Sequence, residues 1–278
     1  MKTECLRAAG IWVDSDRVSS LKEFGIILYS GEITGMLGLV GSGITVVADA
    51  LSGRKKLEKG QIYMDHTPVQ IRGMAQAEKM GIYVISEKTI FLDDLRLEEN
   101  LCLSQRQESM GITFTSEKQI SRIRRCMEEL KIQLKLKEYP KKLGSLECHL
   151  AEILRAYLMG CRILILNHIA NRYTRKELEK LKDVLDLLKE KGIAILLLES
   201  SCERVCKGTD SLYVLRGGRV EGIFERKEYD PGKIKRVMLG DYEIPDTQKT
   251  QFFYENDKTL LLEARGLEST AFKELCFQ

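Results

Sequence analysis

The chain has 278 residues, 44% hydrophobic and 31% charged, with a formal net charge of +3. This suits an ordinary soluble protein with core enough for one large domain or two modest ones. The charge is too small to argue for nucleic acid or a membrane surface as partner. No apolar run approaches a membrane span, and the N-terminus lacks a signal-peptide pattern. The eight cysteines are scattered, several inside apolar runs (Cys102, Cys126, Cys161), which reads as small core residues in a reducing compartment. His66, His149 and His168 lie far apart, and no Cys/His cluster completes a zinc site. The expected location is cytoplasmic.

Residues 4–39 alternate short apolar runs with turns: Ile11-Trp12-Val13, Phe24 to Tyr29 and Ile33 to Leu39, with Ser30-Gly31 as hairpin-like punctuation. This opening reads as β-rich. Gly38-Leu39-Val40-Gly41-Ser42-Gly43-Ile44-Thr45 then stands between an apolar strand and a helix-like run from Val46 to Leu51. Strand, glycine-rich turn and helix start are the setting of a phosphate-binding loop, G-x-x-x-x-G-K-[ST]. Gly38, Gly43 and Thr45 fall in place, and Ile44 holds the lysine position. Backbone N–H groups would still converge on phosphate oxygens, and Thr45 would still offer a hydroxyl to Mg²⁺, but the bridging ammonium is missing. A glycine-rich turn without a ligand is the alternative that the loop alone leaves open.

Further strands are expected at Gly60 to Met64 and Gly81 to Ile85. Helices are expected from Thr115 to Leu134, with a Ser116/Gln119 capping box, and from Leu150 to Met159. Cys161 to Leu166 and Ile193 to Leu198 are near-continuous apolar runs of the kind buried in parallel sheets. Between them, Thr174 opens an amphipathic helix to Lys191, stopped by Gly192. Ser211 to Leu215 and Arg219 to Phe224 make a hairpin around Gly217-Gly218. The alternation argues an α/β domain over 1–242. Residues 243–258 read as a linker. At 259–278, Leu262-Glu263-Ala264-Arg265-Gly266-Leu267 followed by Phe272-Lys273-Glu274-Leu275 echoes Leu6 to Ile11 followed by Leu21 to Phe24. The expectation is a second copy that begins and is cut short.

These landmarks resemble the ATP-binding cassette of ABC transporters, and more narrowly one half of the tandem-cassette ATPase subunit of ribose/galactose-type sugar importers. Gly60-Gln61-Ile62, Leu97-Glu98-Glu99-Asn100-Leu101, Val214 to Arg219 and Met238-Leu239-Gly240 match the family's elements in order and spacing. The resemblance implies a P-loop nucleotide-binding fold: a β-rich N-terminal subdomain, a mostly parallel core sheet with flanking helices, and a helical subdomain at about 88–160. It also implies where the chemistry should sit, and there the sequence departs. Ile44 replaces the loop lysine, and Glu87 the Q-loop glutamine. Leu143-Gly144-Ser145-Leu146-Glu147 stands for the signature L-S-G-G-Q, with Leu146 where a glycine lets backbone approach the partner's nucleotide. Asn167-His168 replaces the Asp-Glu that ends the Walker B strand, with Ile169 for the following proline. Ser200 falls where the switch histidine belongs, and Asp14-Ser15-Asp16 occupies the turn of the adenine-stacking aromatic.

The resemblance therefore implies a degenerate, non-hydrolysing cassette with weak ATP binding and doubtful Mg²⁺, the metal having only Thr45 and Glu87. Its implied partners are a second cassette, in tandem or as a dimer, and the sugar permease subunits of a membrane, at whose inner face the chain would sit. The stretch between Glu87 and Gln107 would face the permease, with Phe91 and Leu92 as apolar contacts. The alternatives are a scaffold or regulatory pseudo-ATPase outside transport, and a weak ATPase using His168 as base; for His168 a structural, hydrogen-bonded role is favoured.

Overall fold

The computed structural model describes residues 2–14, 20–104, 116–201, 208–240, 264–267 and 275–277. It divides into one unit over Met1–Gly240 and another over Asp241–Gln278. The first unit runs β1 (Glu4–Val13), β2 (Leu21–Tyr29), β3 (Ile33–Gly38), α1 (Ile44–Leu51), β4 (Lys59–Met64), β5 (Thr67–Val69), α2 (Met74–Lys79) and β6 (Ile82–Ser86). It continues with α3 (Leu97–Ser104), α4 (Glu117–Glu129), α5 (Ser145–Leu158), β7 (Ile163–Asn167), α6 (Arg175–Glu190), β8 (Ala194–Glu199), β9 (Ser211–Arg216), β10 (Arg219–Glu225) and α7 (Pro231–Leu239). In the second unit, β11 (Ala264–Leu267) pairs antiparallel with β12 (Leu275–Phe277). The expected linker lies outside the described residues.

An antiparallel sheet, β2-β1-β4-β5, faces a six-stranded sheet, β10-β9-β3-β8-β7-β6, whose strands are parallel except at the β9–β10 hairpin. The two apolar runs read from sequence become β7 and β8 at its centre, and their period of two serves two cores. Ile163 and Ile165 of β7, with Ala194, Leu196 and Leu198 of β8, join α1 and the antiparallel sheet in one cluster. Leu164, Leu166 and Ile195 point the other way, into a cluster built with α3, α4, α5 and α6. Each such side chain is buried, and each leucine or isoleucine contributes about 1.5–3 kcal/mol.

Helix ends follow their caps. Ser116 takes the N–H of Gln119 and Gln119 returns the contact, so α4 starts where the capping box was read. Thr174 and Glu177 do the same for α6. α5 begins at Ser145, five residues before the expected Leu150, because Glu147 turns back to accept the Gly144 N–H at 2.9 Å and so starts the helix earlier. Among the described residues no helix is long and apolar enough to cross a membrane.

The glycine turn after β3 rests on a brace of backbone. The N–H of Gly218, in the β9–β10 turn, donates to Ser42 O at 2.8 Å, and Lys22 N–H donates to Gly218 O at 2.9 Å. Gly43 sits at φ 94°, and a Cβ there would lie 2.4 Å from Ser20 O. Gly43→Ala should therefore destabilise the fold by about 1–3 kcal/mol, from a left-handed residue with no room for its methyl. Urea unfolding of the variant beside the wild type measures it, and an unchanged midpoint would contradict the brace.

Candidate functional site

The carboxyl ends of the parallel strands converge along one edge of the six-stranded sheet. Ser86 pairs with Asn167, Asn167 with Leu198, and Leu37 with Glu199, so the residues that follow these strands stand side by side. This is where ligands bind open parallel sheets. The structure brings together here the glycine turn 38–45, Ser86-Glu87, Asn167-His168 and Glu199-Ser200. Leu143 and Gly144 lead into α5, and Ser145 to Glu147 form its first turn.

The glycine turn keeps the form of an anion cradle. Gly41 and Gly43 take positive φ, Ser42 N–H closes a turn on Leu39 O at 2.9 Å, and α1 starts directly at Ile44. The N–H groups of Gly43 and Thr45 have no partner within the protein among the described residues. Ser42 is buried, and its Oγ accepts a long bond of 3.4 Å from Ile44 N–H. A Cβ on Gly38 would come within 2.3 Å of that hydroxyl and 3.1 Å of the Ile44 Cβ, so a larger residue there would push Ser42 out of place. Ile44 is buried in the cluster between the sheets, while Thr45 is exposed. At the outer rim Leu39 is half exposed and Val40 fully so.

The four segments carry two carboxylates, Glu87 and Glu199, and no lysine or arginine. Asn167 ends β7 with its Oδ1 buried and without a hydrogen-bond partner. His168 takes a left-handed φ of 55° and donates its backbone N–H to Leu198 O at 3.0 Å. Its Nδ1 stands 4.0 Å from Glu199 Oε2, and burial, partly offset by Glu87, pushes the imidazole below its usual range. Glu199 Oε1 accepts the Ala170 N–H at 3.2 Å, tying β8 to the chain that follows β7. Ser200 is exposed at the bend after β8, and residues 15–19, with the adenine-side turn, lie outside the described residues. Leu146 packs into the helical cluster, its side chain turned inward. Among the described residues no group of three or more His, Cys, Asp and Glu side chains is placed to hold a metal ion.

The sequence profile of the ABC transporter family matches residues 21–170, more than half the chain. The chain belongs to the ABC transporter family. This cassette is 28% identical to the ribose import ATP-binding protein RbsA of Clostridium perfringens (strain 13 / Type A) over 269 residues, 96% of the chain and 53% of that protein. It is 27% identical to RbsA of Jannaschia sp. (strain CCS1), over 84% of the chain and 46% of the relative. The chain thus spans about half the length of the curated relatives it matches. Its fold is that of MJ1267, an ATP-binding cassette of an ABC transporter solved in its ADP conformation, with a TM-score of 0.73, 21% identity, and coverage of 86% of this chain and 96% of that one. CbiO1 of Clostridium perfringens, part of the ABC transporter complex cbiONQ, superposes with a TM-score of 0.70 at 16% identity, covering 81% and 90%.

Beside the strand-end site the cassette holds a buried polar node that the sequence reading missed. His149, on α5, is 1% exposed. Its Nε2 donates to Ser86 O at 3.1 Å and Glu87 O at 3.3 Å, which fixes the proton on Nε2 and leaves Nδ1 to accept from the Tyr173 hydroxyl. Glu152, one turn later and 3% exposed, accepts the Ile90 N–H at 2.7 Å. The available signal was their i, i+3 spacing on a helix otherwise filled with apolar residues; placing the helix start at Leu150 left His149 outside it.

Two stability predictions follow from this node. Burial pushes the Glu152 carboxyl up from 4.5 to about 7, and it holds the His149 imidazole below 6.5. For Glu152 the folded chain binds more protons than the unfolded between these values, so stability falls as pH rises from 4.5 to about 7. His149 has the opposite sign, and its contribution is lost as pH drops below 6.5. Glu152→Gln should accordingly gain stability relative to wild type across that rise, with the full gain above about 7, read by chemical denaturation at several pH values. Tyr173→Phe strips Nδ1 of its donor and should cost about 1–3 kcal/mol; no loss would show the contact to be idle.

Proposed function

We propose that this chain is a degenerate, non-hydrolysing ATP-binding cassette of a carbohydrate importer, supplying structure and permease coupling beside a second cassette. The observation that carries the reading is a glycine cradle kept in shape, with Gly41 and Gly43 left-handed and N–H groups open, beside strand ends 86–87, 167–168 and 199–200 that contain no lysine, no arginine and no Asp-Glu pair. A cradle of backbone dipoles holds an anion weakly by itself. The absent ammonium removes a bond worth about 1.5–3 kcal/mol, roughly tenfold to a hundredfold in affinity. Hydrolysis loses more, because neither Asn167 nor a neutral, half-buried His168 supplies the charge that a developing phosphoryl transition state requires. A magnesium ion would find the Thr45 hydroxyl, the Asn167 Oδ1 and, across the edge, Glu87, a poorer set of oxygen ligands than Mg²⁺ usually takes.

Import of a sugar is supported by the name that the half-matched relatives carry, ribose import ATP-binding protein. Coupling is supported by the loop after β6, where Ile90 and Leu92 are each 56% exposed and Phe91 packs back onto the helical cluster. Asp substitutions at both Ile90 and Leu92 should abolish co-purification with a ribose-type permease. The strands at 264–267 and 275–277, antiparallel like β1 and β2, are read as the first strands of a second cassette, with 243–258 as the linker. A location at the inner face of a membrane follows from such a permease.

One observation favours a second reading, a scaffold outside transport: the cradle's rim is apolar, with Leu39 and the fully exposed Val40 facing outward where a protein surface would cover them. Calorimetry with ATP, with and without Mg²⁺, separates the readings. Weak binding without phosphate release is expected, and Ile44→Lys should tighten it roughly tenfold to a hundredfold without starting hydrolysis. No heat at millimolar nucleotide would leave the scaffold. Turnover near 1 s⁻¹ or above, an ordinary enzyme rate, would overturn both.

A further inference from the structure

After α1 the chain turns back through a basic stretch, in which residues 53–59 hold Arg54, Lys55, Lys56 and Lys59 against a single acid, Glu58. Gly53 seats this turn against the segment between β5 and α2. It sits at φ 69°, and a Cβ there would lie 2.5 Å from Ile71 O and 2.8 Å from Gly73 N. Between the turn and the β4–β5 hairpin is an open cleft of about 740 Å³. Arg54, Lys56 and Arg72 line it, and its described lining includes no Asp or Glu. Its floor is aliphatic: Ile62 is buried, and Val69 and Ile71 are half-buried.

The two arginines are held in place by the protein. Gln70 Oε1 accepts from Arg72 Nε at 3.3 Å and from its Nη2 at 3.0 Å. Gln76, on α2, accepts the Arg72 backbone N–H at 3.0 Å and donates to Gln70 O at 2.9 Å, which closes the bracket around Arg72. Arg54 Nη1 stands 3.2 Å from Asp49 Oδ1, and its Nη2 donates to Met74 Sδ at 2.8 Å. Asp49 thus offsets one charge of the group. Glu58 is turned toward the end of β1, where it accepts the Asp14 N–H at 3.2 Å. A guanidinium already fixed in orientation loses less freedom on meeting a carboxylate than a mobile one.

We propose that this cleft is a docking site for an acidic, aliphatic segment of a partner protein. Its carboxylates meet Arg54, Lys56 and Arg72, and its apolar side chains cover the floor. Charge complementarity selects the acid. The recessed floor selects a chain segment, because a bilayer surface does not enter a cleft, and no aromatic ring in the described lining offers a base a stacking platform. Strand addition along the edge strand β5 is disfavoured, since that strand has three residues and its Pro68 has no N–H to give. Recognition falls to side chains. The inference requires neither nucleotide nor permease, so it stands apart from the importer reading.

The test is fluorescence anisotropy of a labelled hexapeptide that alternates glutamate and leucine, titrated with the full chain at low salt. Arg54→Glu combined with Arg72→Glu should weaken binding roughly tenfold or more, and salt should weaken it several-fold. Lys176→Glu combined with Lys180→Glu, both exposed on α6, should leave it unchanged. No binding by the wild type at millimolar peptide, or an equal loss in the α6 variant, overturns the proposal. So does binding to phosphatidylglycerol vesicles that the cleft variant removes while the peptide stays unbound, which would give the surface to a membrane. Because Arg54 also pairs with Asp49, Lys56→Glu and Arg72→Glu are measured singly as well. Each should weaken the peptide a few-fold at an unchanged urea midpoint, and no effect from either overturns the proposal.

Discussion

The structure depends on β7 and β8 being apolar on both faces. A strand in the middle of a sheet covered on both sides has no solvent face, so every position must tolerate burial, and the alternation only decides which core it enters. Ile163 and Ile165 reach the layer beneath α1, while Leu164 and Leu166 reach the helical layer. The two clusters are thereby held by the same few strands, and the ends of those strands are forced to one edge. A site formed there inherits its geometry from packing, whatever side chains stand in it. A glycine turn at that edge therefore keeps its form whichever side chains follow the neighbouring strands.

Shape and charge have separated at that edge. The turn at 38–45 is built from backbone: left-handed glycines, a contact from Ser42 to Leu39, and a brace from Gly218. None of this depends on a lysine, so Ile44 can fall into the apolar cluster without disturbing the loop. The side chains that would act on a phosphate are independent of one another in folding terms. Asn167 ends one strand with His168 after it, and Glu87 and Ser200 follow two others, so each can vary without disturbing the strand beside it. The segments at that edge contribute two carboxylates, Glu87 and Glu199, and no lysine or arginine of their own.

Polar groups have been taken up in the opposite direction on α5. Burying an imidazole and a carboxyl on one helix face is costly unless every proton and lone pair finds a partner. Here the partners are main-chain atoms of the loop after β6 and the Tyr173 hydroxyl, which ties three segments that bear the family's motifs to one point. The same loop carries the exposed Ile90 and Leu92, so order inside the helical layer is converted into a defined outer surface.

Much of the molecule was legible in the residues alone. Near-continuous apolar runs announced the central strands, and Ser116/Gln119 and Thr174 announced helix starts, because both are local signals that operate within a few residues. The glycine pattern announced the turn for the same reason. The residues at 143–149 were misplaced by a local reading, since α5 starts at a glycine whose N–H is capped from within by Glu147, a weak signal in sequence. The meeting of His149, Glu152, Tyr173 and the 86–90 backbone was invisible, because its members are 63 and 24 residues from His149 along the chain and are joined only by packing. Sequence by itself determined the family and the strand and helix order, which are read from neighbours or from pattern. Tertiary structure alone decided that the cradle stays open, that Ile44 and Leu146 turn inward, and that two buried titratable side chains hold the outer loop, because burial and long-range contact exist only once the chain has folded.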